Sequence, residues 1–174
     1  MRFTPLVLGR GAYVPVVRLV RQIREHHLGE SKPGGLYLEL ATYWTFDEGV
    51  SGDCFAALLS HVLDSLKDKL SGYAIHPLID PALGSPYEPR PDSGDLFRAA
   101  EVFGTLARQA AEALTADRCQ AAVLWRKIIG ENERGPGFPI PEGCDDRGRV
   151  IPPVRANTGR GSDEARGFGC RIDF

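Results

Sequence analysis

Val14-Pro15-Val16-Val17-Arg18-Leu19-Val20-Arg21-Gln22-Ile23-Arg24-Glu25-His26-His27 decides how the rest of the chain is read. Val17, Val20 and Ile23 recur at near-helical spacing, and Arg18, Arg21 and Arg24 follow three apart on an adjacent stripe. The spacing predicts a helix over 14–27 with an apolar side and a basic edge. Pro15 is expected in its first turn, where a missing N–H costs nothing.

Working outward, Lys32-Pro33-Gly34-Gly35 breaks the pattern, and Leu36 to Phe46 follows, apolar almost all round. A helix of that kind is expected inside a domain. Glu39 is its exception and needs a partner; an arginine of the first helix is the natural one. Cys54 to Leu70 carries Phe55, Leu58, Leu59, Val62, Leu63 and Leu66 on one face after a Ser51-Gly52-Asp53 start. Ile75 to Pro81 reads as extended, with Asp80 organising the turn before Pro81. Pro86, Pro89 and Pro91 exclude regular helix after it. Asp92 or Ser93 is expected to cap a helix over Leu96 to Ala116, and Asp117 to Ile129 forms a shorter one carrying Trp125. From residue 131 onward Gly, Pro and Arg dominate, with little apolar surface to repay ordering. The fold class expected is mainly α: a helical bundle over residues 1–130 with one short extended segment, then an irregular or mobile tail over 131–174.

Composition narrows the function. The 174 residues are 43% hydrophobic and 25% charged with a net charge of -2, enough for one domain with a core and too balanced for wholesale attraction to nucleic acid. Cys54, Cys119, Cys144 and Cys170 form no CxxC pair, so zinc or disulfide spacing is not expected and the thiols read as buried or idle in a reducing cytosol. No apolar run approaches the ~20 residues of a membrane span, and the apolar Met1 to Leu8 is too short for a signal peptide. These readings point to a soluble, cytoplasmic protein.

Two segments carry a resemblance. The first runs Val16-Val17-Arg18-Leu19-Val20-Arg21, Lys32-Pro33-Gly34-Gly35 and Leu38-Glu39-Leu40-Ala41-Thr42, closed by Phe46-Asp47-Glu48-Gly49. The second is Pro77-Leu78-Ile79-Asp80-Pro81-Ala82 with the helix from Asp95 to Leu114. In order and spacing, about three-fifths of the chain resembles the C-terminal helical half of the oligoadenylate synthetase and cyclic GMP-AMP synthase class of nucleotidyltransferases. That class includes the bacterial second-messenger synthases of CBASS antiviral defence. The resemblance implies a module that positions a nucleoside triphosphate (ATP or GTP) while joined nucleotides become linear or cyclic signals.

The same resemblance implies the site residues. Arg21 falls where the class has a lysine meeting the donor triphosphate, with Arg18 beside it; arginine serves phosphate through a bidentate fork. Gly34 and Gly35 fall near the triphosphate, and their N–H groups precede a helix. Leu36 stands where some relatives stack an aromatic ring on the base, a departure for which Tyr37 can compensate. The Gly-Ser loop and the carboxylates that hold two Mg²⁺ ions in the class lie upstream of the arginine helix, and the dozen residues there contain no Asp or Glu. No catalytic residue and no metal ligand is therefore assigned, Mg²⁺ is expected only with a complete catalytic half, and no transferase activity is expected of the chain alone. Either the chain is a fragment or truncated frame, or another polypeptide supplies the catalytic half; a homo-oligomer is the alternative partner.

The residues also admit a plainer reading, in which the arginines are a solvated helix face, the glycines a turn, and the protein a non-catalytic helical interaction module. His26 and His27 end a helix, where positive charge is favourable. His61 and His76 stand alone, so no Ser/His/Asp set is assembled. Trp44 and Trp125 read as core. Thr158-Gly159-Arg160-Gly161-Ser162 lacks the Lys-Ser/Thr of a phosphate-binding loop.

Overall fold

The computed structural model describes residues 8–132 and 135–152. Five helices dominate: α1 (Leu8–Leu28), α2 (Gly35–Glu48), α3 (Phe55–Tyr73), α4 (Ser93–Thr115) and α5 (Arg118–Ile129). The only sheet among the described residues is a two-residue antiparallel ladder, β1 (Glu131–Asn132) on β2 (Gly135–Pro136). The expected mainly α class is what the chain adopts. No helix of the described residues is long and apolar enough to cross a membrane.

α3 and α4 form the centre. Leu58, Leu59, Val62, Leu63, Leu66 and Leu70 of α3 are buried, as are Leu96, Ala99, Phe103, Leu106 and Ala110 of α4. Ser93 at the start of α4 donates to the Ala74 carbonyl at the end of α3, Gly104 faces Lys67, and Ala107 and Ala111 share a groove with Ala57 and His61. The two helices therefore run antiparallel. Their small alanines let the backbones approach while each buried leucine adds about 1.5–3 kcal/mol. Val16, Val20 and Ile23 of α1, with Leu38 and Ala41 of α2, join the same core. α5 closes it with Trp125 and Ile128.

Local chemistry explains the boundaries. Asp117 caps α5, accepting from the Cys119 and Gln120 N–H groups. α5 ends at Gly130, whose φ of +76° and closeness to the His26 ring leave no room for a side chain. Asp80 accepts from the Ala82 and Leu83 N–H groups, which makes the turn expected of it. α4 starts earlier than Leu96, with Asp92 at the N-cap position but making no capping bond.

Several expectations are corrected. α1 begins at Leu8, not Val14, so Pro15 lies inside the helix. It removes the bond to the carbonyl of Gly11 at the cost of a local break in the ladder. α2 is not sheathed on every side: Tyr37, Leu38, Ala41, Thr42 and Thr45 are buried, but Leu36 is 55% and Tyr43 37% exposed. Thr42 and Thr45 tolerate burial by donating to the Leu38 and Ala41 carbonyls one turn back. The cysteines are not idle. Cys119 and Cys144 form a disulfide across a sequence separation of 25, and Cys54 is also disulfide-bonded. Spacing in sequence misled because a bridge needs nearness in the fold, not a CxxC pair. The inference from cysteine spacing to a reducing compartment falls with it, since such bonds persist in oxidising surroundings.

The described residues after α5 have little regular structure but are tied to the helices. The disulfide fastens it to α5, Arg126 pairs with Asp146 at 3.8 Å, and Phe138 packs on the core. Asp145 accepts from the Arg147 and Arg149 N–H groups to close its own loop. Thr158 to Ser162 lies outside the described residues.

Candidate functional site

The amino end of α2 opens into a cleft of about 230 Å³. Three parts of the chain meet there. Lys32 and Gly34 come from the loop before α2, Leu36 and Tyr37 from its first turn, and Tyr87, Arg90, Asp92 and Asp95 from the proline-rich loop and the start of α4.

Each part is held in place by chemistry readable in the residues. Arg24 donates to the Ser31 carbonyl at 2.8 Å and the Pro33 carbonyl at 3.1 Å, pinning the loop that presents Lys32. Arg90 donates to the Tyr73 and Ala74 carbonyls at 2.9 and 3.1 Å, fastening the proline-rich loop to the end of α3. Gly34 is the N-cap of α2 and supplies no side-chain cap. The first N–H groups of the helix therefore look outward, with the positive end of the helix dipole behind them.

Tyr37 sits at the back of this arrangement, 2% exposed. The rings of Tyr87 and Tyr73 meet it edge-on, with centroids 5.7 and 6.2 Å away. Its hydroxyl has no hydrogen-bond partner among the described residues. Burial pushes the Tyr37 pKa up to about 12, against the opposing pull of the Arg90 charge. Burial raises that of Tyr73 as well, with the neighbouring Tyr37 and Glu48 adding to it. Both phenols are therefore neutral at ordinary pH and available as donors.

The residues singled out in the sequence are partly brought together. Gly34 and Tyr37 line the cleft. Gly35 adjoins it, and the Arg21 side chain lies against the amino end of α2, where a Cβ on residue 35 would make ordinary contact with Arg21 Nε at 3.4 Å. Arg21 pairs with Glu39 at 3.7 Å, the partnership foreseen for that carboxylate. Neither Arg21 nor Arg18 is in the wall of the cleft; Arg18 is exposed one turn earlier on α1. Arg24, the third of the stripe, holds the loop.

Tyr87, Arg90, Asp92 and Asp95 were not anticipated. The one signal for them was a tyrosine and an arginine set among prolines, which read only as a helix-free loop. His61 is not alone: its Nδ1 lies 3.0 Å from Ser51 Oγ. Asp64, in the same groove, pairs instead with Lys67 at 2.9 Å, so a triad is not assembled. His27 does more than end a helix. Its Nε2 bonds the Ile128 carbonyl at 2.9 Å, and burial lowers its pKa, outweighing that bond. Trp44 is half-buried and donates to the Ile79 carbonyl, and Trp125 is core.

Among the described residues no group of three or more His, Cys, Asp or Glu side chains is placed to hold a metal ion. No protein-family model, curated protein or solved structure matches the chain.

Proposed function

We propose that the chain is a helical, nucleotide-positioning module of the nucleotidyltransferase kind, binding ATP or GTP at the amino end of α2. A partner polypeptide would supply the metal-bearing half that makes linear or cyclic oligonucleotide signals in antiviral defence. The observation that carries this reading is the cleft itself. Lys32 and Tyr37 line one small volume at the uncapped start of α2, and the Tyr37 hydroxyl has no partner among the described residues. Anions are favoured at such a helix end, and aromatic walls with a few convergent polar groups are the usual make-up of small-molecule sites. At about 230 Å³ the cleft falls short of the roughly 300–1,000 Å³ of a complete site. It would hold part of a nucleotide, and the rest of the enclosure would come from the other half.

Two measurements test the proposal. Calorimetric titration of the chain with ATP and GTP detects saturable binding if it is right; the absence of binding to either counts against it. Incubation with ATP or GTP and Mg²⁺ yields no oligonucleotide from the chain alone, and any such product would contradict the division of labour.

The second reading, a non-catalytic helical interaction module, draws on the exposed Leu36 and Tyr43 of α2. Apolar groups on a helix face of this kind favour a partner. Sedimentation of dilute protein separates the two: self-association abolished by Leu36→Ser, without nucleotide binding, favours the interaction module.

A further inference from the structure

We propose that the outward face of α2 is a homodimer surface on which a second copy of the chain lies antiparallel about a two-fold axis. Leu40 of each copy meets Tyr43 of the other, and Asp47 of each lies beside Leu36 and Lys32 of the other. This stands apart from nucleotide binding and rests on the interaction reading above, which it deepens by naming the partner and the register.

The first observation is the stripe itself. Leu36, Leu40, Tyr43 and Asp47 follow one another at intervals of four, three and four residues, the spacing by which one helix seats against another. Leu36, Tyr43 and Asp47 are exposed, and Leu40 is half-buried. Both flanks of the stripe are engaged within the chain. Towards α1, Glu39 pairs with Arg21 and the Phe46 ring meets Tyr13. On the other side, Trp44 donates to the Ile79 carbonyl. The stripe between them is left for a partner, and two exposed apolar residues on it favour one.

The second observation decides which partner. The two ends of the stripe carry opposite charge. Lys32 lines the same cleft as Leu36, and Arg21 lies against the amino end of α2 with 61% of its side chain exposed. Asp47 stands at the carboxyl end, while its neighbour Glu48 is held by Lys69. Neither Lys32 nor Asp47 enters an ion pair among the described residues. The helix dipole adds the same signs, positive at the end that Gly34 leaves uncapped. A copy laid parallel would set like charge on like at both ends. Laid antiparallel, it sets Asp47 against Lys32 twice, as a two-fold axis requires. The spacing of four, three and four reads the same in both directions, so the apolar pairs and the charge pairs fall into one register. A second copy thus carries every feature the surface asks of its partner. The face is about three turns long, at the small end of protein interfaces, so a dissociation constant on the order of 10–100 μM is expected.

The test is sedimentation equilibrium of the full chain from roughly 5 to 500 μM, a span that brackets such a constant, at low salt, where surface charge is least screened. Tyr43→Ser should weaken the dimer by at least about tenfold. Asp47→Lys and Lys32→Glu should each weaken it by about tenfold, because each sets like charges together at both ends. An equimolar mixture of the two charge variants should associate as the parent does, since every charge pair between them is again opposite. That recovery also shows that both variants are folded. If Tyr43→Ser abolishes association but the charge variants do not, or their mixture fails to recover it, the register is wrong while the interaction reading stands. Association that survives all three substitutions lies on another face and overturns the proposal. A monomer throughout the range overturns the proposal and the interaction reading together.

Discussion

Replacing Tyr37 by phenylalanine should make the protein more stable, not less. The ring is enclosed, 2% exposed, and keeps its edge contacts with Tyr73 and Tyr87 after the change. What is removed is a hydroxyl with no partner among the described residues. A buried polar group left unpaired costs about 1–3 kcal/mol, and deleting it returns that amount. For a chain of this size each kcal/mol moves the melting temperature by about 2–4 °C, so thermal unfolding should shift upward by at least about 2 °C. The alkaline limb gives a second handle. In the unfolded chain the phenol ionises around its ordinary 10.0, and in the folded protein only at about 12. Between those values the unfolded state binds fewer protons, so stability present below pH 10 is lost as pH rises. Tyr37→Phe removes that share of the loss, while Tyr73, raised in the same direction, keeps a remainder. The assay is calorimetric unfolding of both proteins at pH 7 and across pH 9–11. An unchanged or lowered melting temperature at pH 7 would show that the hydroxyl is satisfied in the protein, and the case for a ligand at that atom would be lost.

Removing the disulfide by Cys119→Ala/Cys144→Ala frees a loop with a sequence separation of 25. Chain-entropy reasoning gives a loss of about 3.5 kcal/mol, read by urea unfolding, and a loss below about 1 kcal/mol would contradict the bridge. Arg24→Ala strips two bonds from the carbonyls of Ser31 and Pro33. It should cost about 1.5–3 kcal/mol and raise amide exchange at Gly34 and Gly35; unaltered exchange there would mean the loop is held otherwise. His27 is kept neutral by burial, its pKa below the ordinary 6.5. Stability is therefore present above pH 6.5 and lost as pH falls below it, because the unfolded state takes up the proton first. His27→Gln should flatten that acid limb in unfolding curves, and an unchanged slope from pH 6.5 to 5 would refute the assignment.

The helices were legible because their apolar spacing is local information. Val17, Val20 and Ile23, and Leu58 through Leu66, declare their faces without reference to the rest of the chain. Gly34 and Tyr37 were reachable too, since a glycine pair opening a helix and an aromatic in its first turn are sequence neighbours. Tyr87, Arg90 and Asp92 were not. They reach the cleft only because Arg90 grips the end of α3, a contact between segments 16 and 17 residues apart that no periodicity encodes. The disulfide escaped for the same reason. Cys119 and Cys144 are brought together by the return of the chain after Gly130, not by their spacing. The exposed side of α2 misled in the opposite sense: Leu36 and Tyr43 match a buried pattern, but no other described element covers them. Pro15 suits a first turn because its missing N–H costs nothing there, yet the preceding residues extend the helix through it.

The nucleotide cleft at the start of α2 is most directly tested by adding ATP to isotope-labelled protein and recording which backbone amides move. Saturable shifts centred on Gly34, Gly35 and Tyr37, with Asp92 among them, are the result expected. Shifts confined to the α3–α4 groove around His61 and Arg108, or no shifts at all, would contradict it.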